Sequence, residues 1–379
     1  MRLIHLPLEI LINVTEFLST KDILNLSICS KHFHNILFFV KFNEKVNFRN
    51  ISKLSYFDSF TNIMFYESGK LFPKSLKILF WHNNDHLPSL FPNSLKSLDL
   101  GYSYNQPLPQ LPDSLKSLHL GCDYNQQISQ LPNSLKSLHL GSNYNQPLPQ
   151  LPDSLKSLHL GWYYDQSLPQ LPDSLKSLNL GHYYNQPLPQ LPNSLKSLHL
   201  GSYYDQPLPQ LPDSLKSLHL GYYYNQPILQ LPDSLESLDV CYFYNQPILQ
   251  LPDSLKSLHL GHHYDQPLPQ LLNSLKSLHL GFYFNQPLLQ LPNSLKSLYL
   301  GCNYNHPLSQ LPNSLKSLHL SWRYNHPLSQ LPNSLKSLIL NYDYNHTLPQ
   351  LPDSLRLLKV WRGFPLPALS SNITIEFFG

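Results

Sequence analysis

The stretch LPDSLKSLHLGYYYNQPILQ, at Leu211–Gln230, decides the fold because it recurs thirteen times without a slipped residue between Phe91 and Gln350. A nineteen-residue version, Phe72–Leu90, precedes the run, and an incomplete copy begins at Leu351. The few apolar side chains of one unit bury too little surface to offset the entropy that twenty ordered residues lose. The short period therefore predicts stacked units that fold only against their neighbours.

Each unit is predicted to contain one short strand followed by an extended return segment. In Leu115–Leu120 the apolar positions follow the pattern LxxLxL, and the last four residues alternate. Leu118 and Leu120 should therefore point inward, while Ser117 and His119 should point to solvent. Prolines in the return segment fix φ and lack an amide donor, so that segment should be extended rather than helical. Stacking such units gives parallel strands, one for each repeat.

Several columns of equivalent residues have predicted structural roles. The tyrosines that begin with Tyr104, replaced only by Phe284, should form a buried aromatic spine. The neighbouring column, which begins with Asn105 and alternates between asparagine and aspartate, should hydrogen-bond from unit to unit. Gly121 should let the chain turn away from its strand, and Asp113–Ser114 should supply a side-chain-capped turn before the next one.

Composition limits the classes of partner. The 379 residues carry a net charge of only +3, which is too small to indicate a nucleic-acid partner. No apolar run is long enough to span a membrane, and Glu9 interrupts the stretch where a signal peptide would need continuity. The four cysteines share no motif spacing, which favours free thiols in a reducing compartment. These features predict a cytoplasmic protein with neither a nucleic-acid nor a membrane partner.

The first forty residues differ from the repeats and have helical periodicity. Four segments carry a resemblance to a known motif: Leu6–Ile10, Phe17–Leu18, Asp22–Leu24 and Cys29–Phe33. Their order and spacing resemble the F-box, with Phe33 at the position where that motif usually has tryptophan. In F-box proteins this helical trio docks on the SKP-type adaptor of a cullin ubiquitin ligase of the SCF type.

The F-box resemblance implies which residues would bind the adaptor: Leu6, Pro7, Ile10 and Leu24. By the same resemblance, Phe17 and Phe33 would hold the three helices together. Reasoning from the repeat architecture alone leaves another interpretation open. The helices would then be a cap that covers the open end of the stacked units.

The repeat also resembles a family. Tyr104–Leu108, placed after the pattern LPxSLxxLxLG, is similar to the FNIP repeat, which is named for Phe-Asn-Ile-Pro and is related to leucine-rich repeats. Coupling of an F-box to FNIP repeats is typical of proteins from social amoebae and from giant viruses that infect amoebae. The resemblance implies a small α-helical F-box followed by a leucine-rich-repeat-like parallel β-solenoid of twenty-residue FNIP-type repeats.

The change in pattern along the chain predicts its domain organisation. Residues 1–45 would be an F-box-like helical domain, and residues 46–71 a transition that contains decayed repeats. Residues 72–363 would be the repeat solenoid. Residues 364–379 would be a C-terminal cap, with a last strand near Asn372–Phe378 that protects the open edge of the sheet.

The outward column that contains His119 was considered as a source of chemistry. Histidines one repeat apart could share a metal ion, and His219, Asp239 and His259 form the most favourable set. A flat ladder of strands offers them no converging geometry, however, and the sequence shows no pairing of a nucleophile with a base. We therefore predict no catalytic site, no metal site and no cofactor.

The repeat at 231–250 departs from the others. Glu236 interrupts a column of lysines that is expected to be a solvated rim, and Asp239 interrupts the histidines. In the same repeat, Val240 and Cys241 replace the usual leucine and glycine. This unit marks either a contact site or drift between copies.

The second residue after the glycine is aromatic only in the middle of the array. Because scaffold requirements are equal in every unit, this block favours either a binding partner or recent duplication of a few repeats. By alternation from the strand, the position should face outward on the strand side. The predicted target-binding residues are Tyr163, Tyr183, Tyr203, Tyr223, Phe243 and Tyr283.

Together these patterns predict a non-catalytic protein-binding adaptor, the substrate-recruiting subunit of an SCF-type ubiquitin ligase. Its partners would be the SKP-type adaptor and an unknown protein target held on the solenoid. One alternative is a free-standing repeat scaffold whose N-terminal helices only cap the solenoid. A metal-dependent enzyme is a more distant alternative.

Overall fold

The computed structural model describes residues 72–81, 84–308, 310–367 and 372–378 of the chain. Before them it describes residues 15, 18–27, 37, 40, 42, 45–47, 50, 54–55 and 57–65. The chain divides into two compact units, Met1–Ser174 and Leu175–Gly379.

The first unit contains a short helix and a row of parallel strands, each paired with the next along the chain. Ser19 caps the helix, since its hydroxyl oxygen accepts the Asp22 N–H at 3.2 Å. The elements are α1 Thr20–Ser27, β1 Val46–Asn47, a 3₁₀ turn Phe57–Ser59, β2 Asn62–Phe65, β3 Ile78–Trp81, β4 Ser97–Asp99, β5 Ser117–His119, β6 Ser137–His139 and β7 Ser157–His159. The strands β1 and β2 therefore extend the row of parallel strands ahead of the regular array.

The second unit continues the same pattern of parallel strands. Leu218 pairs with Leu198 on one side and Leu238 on the other, so neighbouring strands are offset by one full repeat. The strands are β8 Ser177–Asn179, β9 Ser197–His199, β10 Ser217–His219, β11 Ser237–Asp239, β12 Ser257–His259, β13 Ser277–His279, β14 Ser297–Tyr299, β15 Ser317–His319, β16 Ser337–Ile339, β17 Leu357–Trp361 and β18 Thr374–Phe378. The last of these confirms the strand predicted near the C-terminus.

The return segments are extended, as the prolines predict. Among the described residues, positions 72–367 contain no helix. The prediction that helix is confined to about the first forty residues is wrong in one detail. Asn50 is helical and Phe57–Ser59 forms a 3₁₀ turn, because the transition segment folds into short turns between β1 and β2.

The tyrosine column is a buried spine within each unit. Tyr224 is 0% exposed, and its ring stacks on that of Tyr204 with centroids 6.1 Å apart. Phe284 continues the column, 6.2 Å from Tyr264. Burial raises the pKa of Tyr204 to about 12, against a smaller opposite effect of a backbone hydrogen bond with Leu188. The inward leucines of the strands surround this spine and are equally buried.

The serine before each strand joins neighbouring repeats. The Ser214 hydroxyl donates to the Leu195 carbonyl of the preceding repeat at 2.6 Å. The turn itself is closed by the backbone, where the Leu215 N–H donates to the Pro212 carbonyl at 3.0 Å. The prediction of a side-chain-capped turn is therefore wrong about the serine, because its hydroxyl bonds to the preceding repeat rather than to its own turn.

The asparagine column is a hydrogen-bonded ladder, as predicted. Asn105 Oδ1 accepts the Asn125 N–H at 2.9 Å and also the Gln126 side-chain amide at 3.2 Å. Asp205 Oδ1 accepts the Asn225 N–H in the same way, at 2.9 Å. Each repeat needs only an acceptor oxygen at this position, which explains why asparagine and aspartate interchange along the column.

The glycine column exists because of a close backbone approach. A Cβ on Gly201 would lie 1.9 Å from the Gly181 carbonyl oxygen. Gly121 does not adopt a positive φ, so its predicted role in allowing an unusual turn is wrong. Where the column holds Ser321 instead, the turn hydrogen bond from the Tyr324 N–H lengthens to 3.4 Å, compared with 3.0–3.2 Å at the glycines. A side chain is thus accommodated by opening the turn.

The spine predicts a large stability loss on truncation. Tyr224→Ala should lower the free energy of unfolding by roughly 3–5 kcal/mol, because a fully buried ring leaves a cavity. Tyr224→Phe should cost less than about 1.5 kcal/mol, since phenylalanine already occupies this column at Phe284. The exposed control Lys196→Ala should change stability by less than about 0.5 kcal/mol. Urea unfolding followed by circular dichroism measures all three, and equal losses would contradict the assignment of inside and outside.

Candidate functional site

The six predicted target-binding residues all lie at the surface. Their exposed fractions range from 36% for Phe243 to 51% for Tyr163. They sit in the turn after each strand rather than on the strand itself. The expected position on the strand side is therefore wrong, because each strand ends before the glycine and the following two residues form a corner.

Backbone hydrogen bonds place these turn residues in register. The Tyr223 N–H donates to the Ser202 carbonyl at 2.8 Å, and the Phe243 N–H donates to the Tyr222 carbonyl at 3.1 Å. The side chains consequently repeat at ring-stacking distance. In the second unit the rings of Tyr183 and Tyr203 stack 4.9 Å apart, and the stack continues through Tyr223, Phe243, His263 and Tyr283 at 4.8–5.1 Å.

A second aromatic column lies beside the first and was missed by the sequence reasoning. Its members immediately follow the glycine position and are Tyr222, Tyr242, His262 and Phe282. Their centroids are 4.3–4.6 Å apart along the column. The Tyr222 ring meets the Tyr223 and Phe243 rings edge-on, at 72° and 83°. The missed signal was the aromatic block at this position, which falls in the same repeats.

The two columns together form the aromatic face of the second unit. It consists of Tyr183, Tyr203, Tyr222, Tyr223, Tyr242, Phe243, His262, His263, Phe282 and Tyr283. Alternating stacked and edge-on contacts hold these rings against one another while several of them remain substantially exposed. Tyr163 belongs to the first unit, where it lies next to the exposed Trp162.

The histidine column is a stacked ladder within the first unit. The His139 and His159 rings are parallel within 8° and have centroids 4.1 Å apart. Burial lowers the pKa of His139 to about 4, and the neighbouring His159 and His119 contribute in the same direction. Burial also lowers the pKa of His159. This part of the column is therefore uncharged at neutral pH.

The repeat at 231–250 has a different arrangement, which brings three reactive side chains together. His219 Nδ1 lies 2.9 Å from Asp239 Oδ2, and His219 Nε2 lies 3.4 Å from Cys241 Sγ. His259 Nδ1 lies 3.6 Å from the other Asp239 oxygen. The prediction that this ladder offers no converging geometry and no pairing of a nucleophile with a base is wrong. Cys241 lies 22 residues after His219, two positions off the repeat period, so a search along columns did not pair them.

Charge is concentrated on this cluster. The hydrogen bond with Asp239 is the largest cause that raises the pKa of His219 to about 10, and contact with Cys241 adds to it. Burial acts to raise the pKa of Asp239, but the hydrogen bond and the positive charge of His219 outweigh it and lower that pKa. His219 and Asp239 are therefore an ion pair at neutral pH.

The same cluster was considered as a metal site. Ligand atoms of His219, Asp239 and Cys241 lie within 4.8 Å of one another. However, Asp239 faces one nitrogen of the His219 ring and Cys241 faces the other. As placed, the three side chains form a hydrogen-bonded chain with the His219 ring at its centre.

Glu236 has a structural role in the lysine column. Its carboxylate oxygens lie 2.8 Å from Lys216 Nζ and 2.6 Å from Lys256 Nζ. Hydrogen bonds from both lysines lower the pKa of Glu236 to about 2. The acidic residue thus relieves the repulsion between two stacked lysines.

Comparison with protein-family models identifies both the N-terminal segment and the repeats. The F-box domain matches residues 3–45. The FNIP repeat matches residues 82–123, 104–143, 144–183, 184–210, 204–242, 244–272, 269–303, 304–343 and 324–360. The chain is an F-box and FNIP repeat protein. The resemblances read from the two sequence patterns are confirmed.

Solved structures support the leucine-rich-repeat-like solenoid. CroV588, described as a novel circular LRR protein, is 30% identical with a TM-score of 0.62; the match covers 88% of this chain and 61% of CroV588. YopM from Yersinia enterocolitica WA-314 is 25% identical with a TM-score of 0.60 and 84% and 81% coverage. This F-box and FNIP repeat protein thus spans about three fifths of the length of CroV588. No curated protein matched the sequence.

Most of the predicted adaptor-binding residues fall outside the described part of the F-box. Leu6, Pro7 and Ile10 are not among the described residues, and Leu24 lies within α1. All four fall inside the matched F-box segment. Among the helices that the structure describes, none has the length and apolarity needed to cross a membrane.

The histidine ladder predicts an acid-sensitive step in stability. The folded state lowers the pKa of His139 from 6.5 to about 4, so the unfolded chain takes up this proton first as the pH falls. The free energy of unfolding should therefore be unaffected by His139 above pH 6.5 and should decrease as the pH falls toward 4. His139→Asn should flatten this decline, because Asn179 already occupies the same column. Urea midpoints across this range test it; Lys136→Ala is the control, and an unchanged slope in His139→Asn would contradict the prediction.

Proposed function

We propose that this protein is the substrate-recruiting subunit of an SCF-type ubiquitin ligase. The observation that carries the proposal is one chain that joins an F-box at residues 3–45 to a FNIP solenoid with an exposed aromatic face. The F-box would hold the ligase and the solenoid would hold the target. The protein would catalyse no bond chemistry on that target and would need no cofactor. It would work in the cytoplasm.

The proposed binding of the F-box to the adaptor, here called the adaptor arm of the proposal, depends on a small apolar surface. Leu6, Pro7, Ile10 and Leu24 are the residues that the F-box resemblance assigns to the SKP-type adaptor. Binding energy in protein interfaces is concentrated in a few buried apolar anchors. A charge placed at two of these positions would have to be desolvated inside the interface, which is strongly unfavourable.

The proposed binding of a target protein to the solenoid, here called the target arm of the proposal, depends on the aromatic face. Its rings are held in fixed positions by stacking contacts, such as the 5.1 Å contact between Tyr223 and Phe243. Rigid aromatic rings give a large contact area and lose little entropy on binding, and tyrosine adds a polar tip. The neighbouring lysine and histidine columns would form the polar rim of such an interface.

One observation favours the alternative of a scaffold with a helical cap. Residues inside the F-box match contact the segment just before β2: the Ser59 hydroxyl donates to the Leu37 carbonyl, and the rings of Phe42 and Phe60 stack 4.9 Å apart. The Leu37 and Phe42 side chains are buried. The end of the F-box segment therefore does cover the start of the repeats, whether or not its remainder binds an adaptor.

The adaptor arm predicts a selective loss of binding. Leu6→Asp with Leu24→Asp should abolish binding to a purified SKP-type adaptor, because both charges would be buried at the interface. Isothermal titration calorimetry with the full chain measures the affinity. Lys196→Ala is the control and should bind like the wild type. Binding that survives the double substitution, or an intact chain that does not bind at all, would favour the capped scaffold.

The target arm predicts that the aromatic face, and not apolar surface in general, captures the target. Tyr203→Ser with Tyr223→Ser should remove the protein captured by the wild type from an amoebal lysate. Unfolding free energy should fall by no more than about 2 kcal/mol, since both rings are exposed and lose only ring–ring contacts.

A matched control is available on the return segments of the same unit. Leu229 and Leu249 are 87% and 73% exposed, so Leu229→Ser with Leu249→Ser removes apolar surface elsewhere. This control should retain the captured protein. If it loses that protein equally, or if the tyrosine variant keeps it, the aromatic face is not the recognition surface.

A further inference from the structure

Two departures from the repeat pattern occur in one repeat and face the same histidine. Asp239 stands in a column that is otherwise mostly histidine, and Cys241 stands in a column that is otherwise mostly glycine. Both contact His219 of the preceding repeat. Because glycine in this column avoids a clash with the preceding carbonyl group, a side chain here stretches the turn. The Tyr244 nitrogen lies 3.3 Å from the Cys241 carbonyl oxygen, compared with 3.0–3.2 Å for the same turn hydrogen bond at the glycines.

Other side chains in the glycine column show how Cys241 is directed. The Ser321 hydroxyl donates to the Tyr304 carbonyl at 2.8 Å, and the Asn341 amide donates to the Leu320 carbonyl at 2.9 Å. Both side chains are buried and satisfied by backbone. The Cys241 thiol is partly exposed and faces the imidazole instead. Its position is thus suited to a reagent that arrives from solvent.

The geometry is that of a base held between an orienting carboxylate and a thiol. Asp239 accepts from His219 Nδ1 at 2.9 Å, which leaves Nε2 directed at Cys241 Sγ, 3.4 Å away. A carboxylate in this position fixes the orientation of the ring and stabilises its positive form. An imidazolium in this position stabilises the thiolate of the cysteine that it faces.

We propose that Cys241 is a nucleophilic thiol that reacts with soft electrophiles, with His219 holding its proton and Asp239 orienting His219. The reactive form is a thiolate beside an imidazolium. With an alkylating reagent such as iodoacetamide, the sulfur lone pair forms a bond to the methylene carbon while the carbon–iodine bond breaks. Iodide leaves with the bonding pair, and the proton stays on His219 Nε2. The product is a thioether, and no oxidant or reductant is needed.

A histidine lies on either side of the cluster. The His199 ring stacks on His219 with centroids 5.2 Å apart, and His259 Nδ1 lies 3.6 Å from Asp239. His199 and His259 are therefore the other titratable groups that face the cluster. By contrast, Cys302 of the same unit lies in a setting where burial raises the pKa of its thiol. Cys302 provides an internal reference for reactivity.

Competitive alkylation of the full chain tests the proposal. Limiting iodoacetamide at pH 6 and pH 8, followed by peptide mass spectrometry, gives the rates at Cys241 and Cys302 in one sample. We expect Cys241 to react at least about tenfold faster than Cys302 at pH 6, where ordinary thiols are almost fully protonated. Equal rates at the two cysteines would overturn the proposal.

Variants separate the roles within the cluster. His219→Asn and Asp239→Asn should each lower the Cys241 rate by about tenfold and leave the Cys302 rate unchanged, which also reports that the chain is folded. His259→Asn is the matched control, since within the cluster His259 contacts the Asp239 oxygen that faces away from His219, and it should change the rate less than about twofold. A Cys241 rate that does not respond to His219→Asn overturns the proposal. If His219→Asn fails to fold, Asp239→Asn decides by the same criterion.

Metal binding is the competing explanation and the same assay excludes or establishes it. One equivalent of Zn²⁺ added to chelator-treated protein should leave the Cys241 rate unchanged within about twofold. Full protection of Cys241 at one equivalent, with no protection in His219→Asn, would mean that the cluster is a metal site. That result would replace the proposed nucleophile.

Discussion

The whole structure depends on parallel strands that pair at an offset of one full repeat. The Lys196 N–H and the Ser197 N–H both donate to the Lys176 carbonyl, at 2.8 and 3.1 Å. Every other contact between repeats inherits this offset. The Ser214 hydroxyl reaches the Leu195 carbonyl, and Asn225 donates to Asp205, because the backbone has already placed them one layer apart. A single inserted residue would move each column out of line at once, which explains why thirteen repeats retain their length.

This offset also separates positions that are free to vary from positions that are not. The tyrosine spine and the inward leucines meet the same neighbours in every repeat, so they scarcely change. The two residues after the glycine point to solvent and carry the aromatic face in one part of the array only. A rigid backbone with variable corners is the usual arrangement of a binding scaffold. An F-box at residues 3–45 precedes that scaffold in the same chain.

Features that repeat with the period could be predicted from the sequence. The strand at Ser117–His119, the buried Tyr224 and the exposed Tyr223 all followed from alternation within one unit. The predictions that were wrong concern contacts between one repeat and the next. The hydroxyl of Ser214 leaves its own turn, and Cys241 meets His219 at a separation of 22 residues. Local patterns contain no information on which group lies above a given side chain, so these contacts became visible only in three dimensions.

The side-chain bonds of the serine column and of the asparagine column have one direction. The serine hydroxyl, as in Ser254 to Leu235, and the amide that reaches the asparagine column, as in Asn245 to Asn225, both belong to the later repeat. In these two columns the earlier repeat supplies the acceptor. During synthesis the N-terminal repeats leave the ribosome first. Each new repeat therefore meets acceptors that are already in place, and the array can grow by adding one layer at a time without waiting for sequence still to be translated.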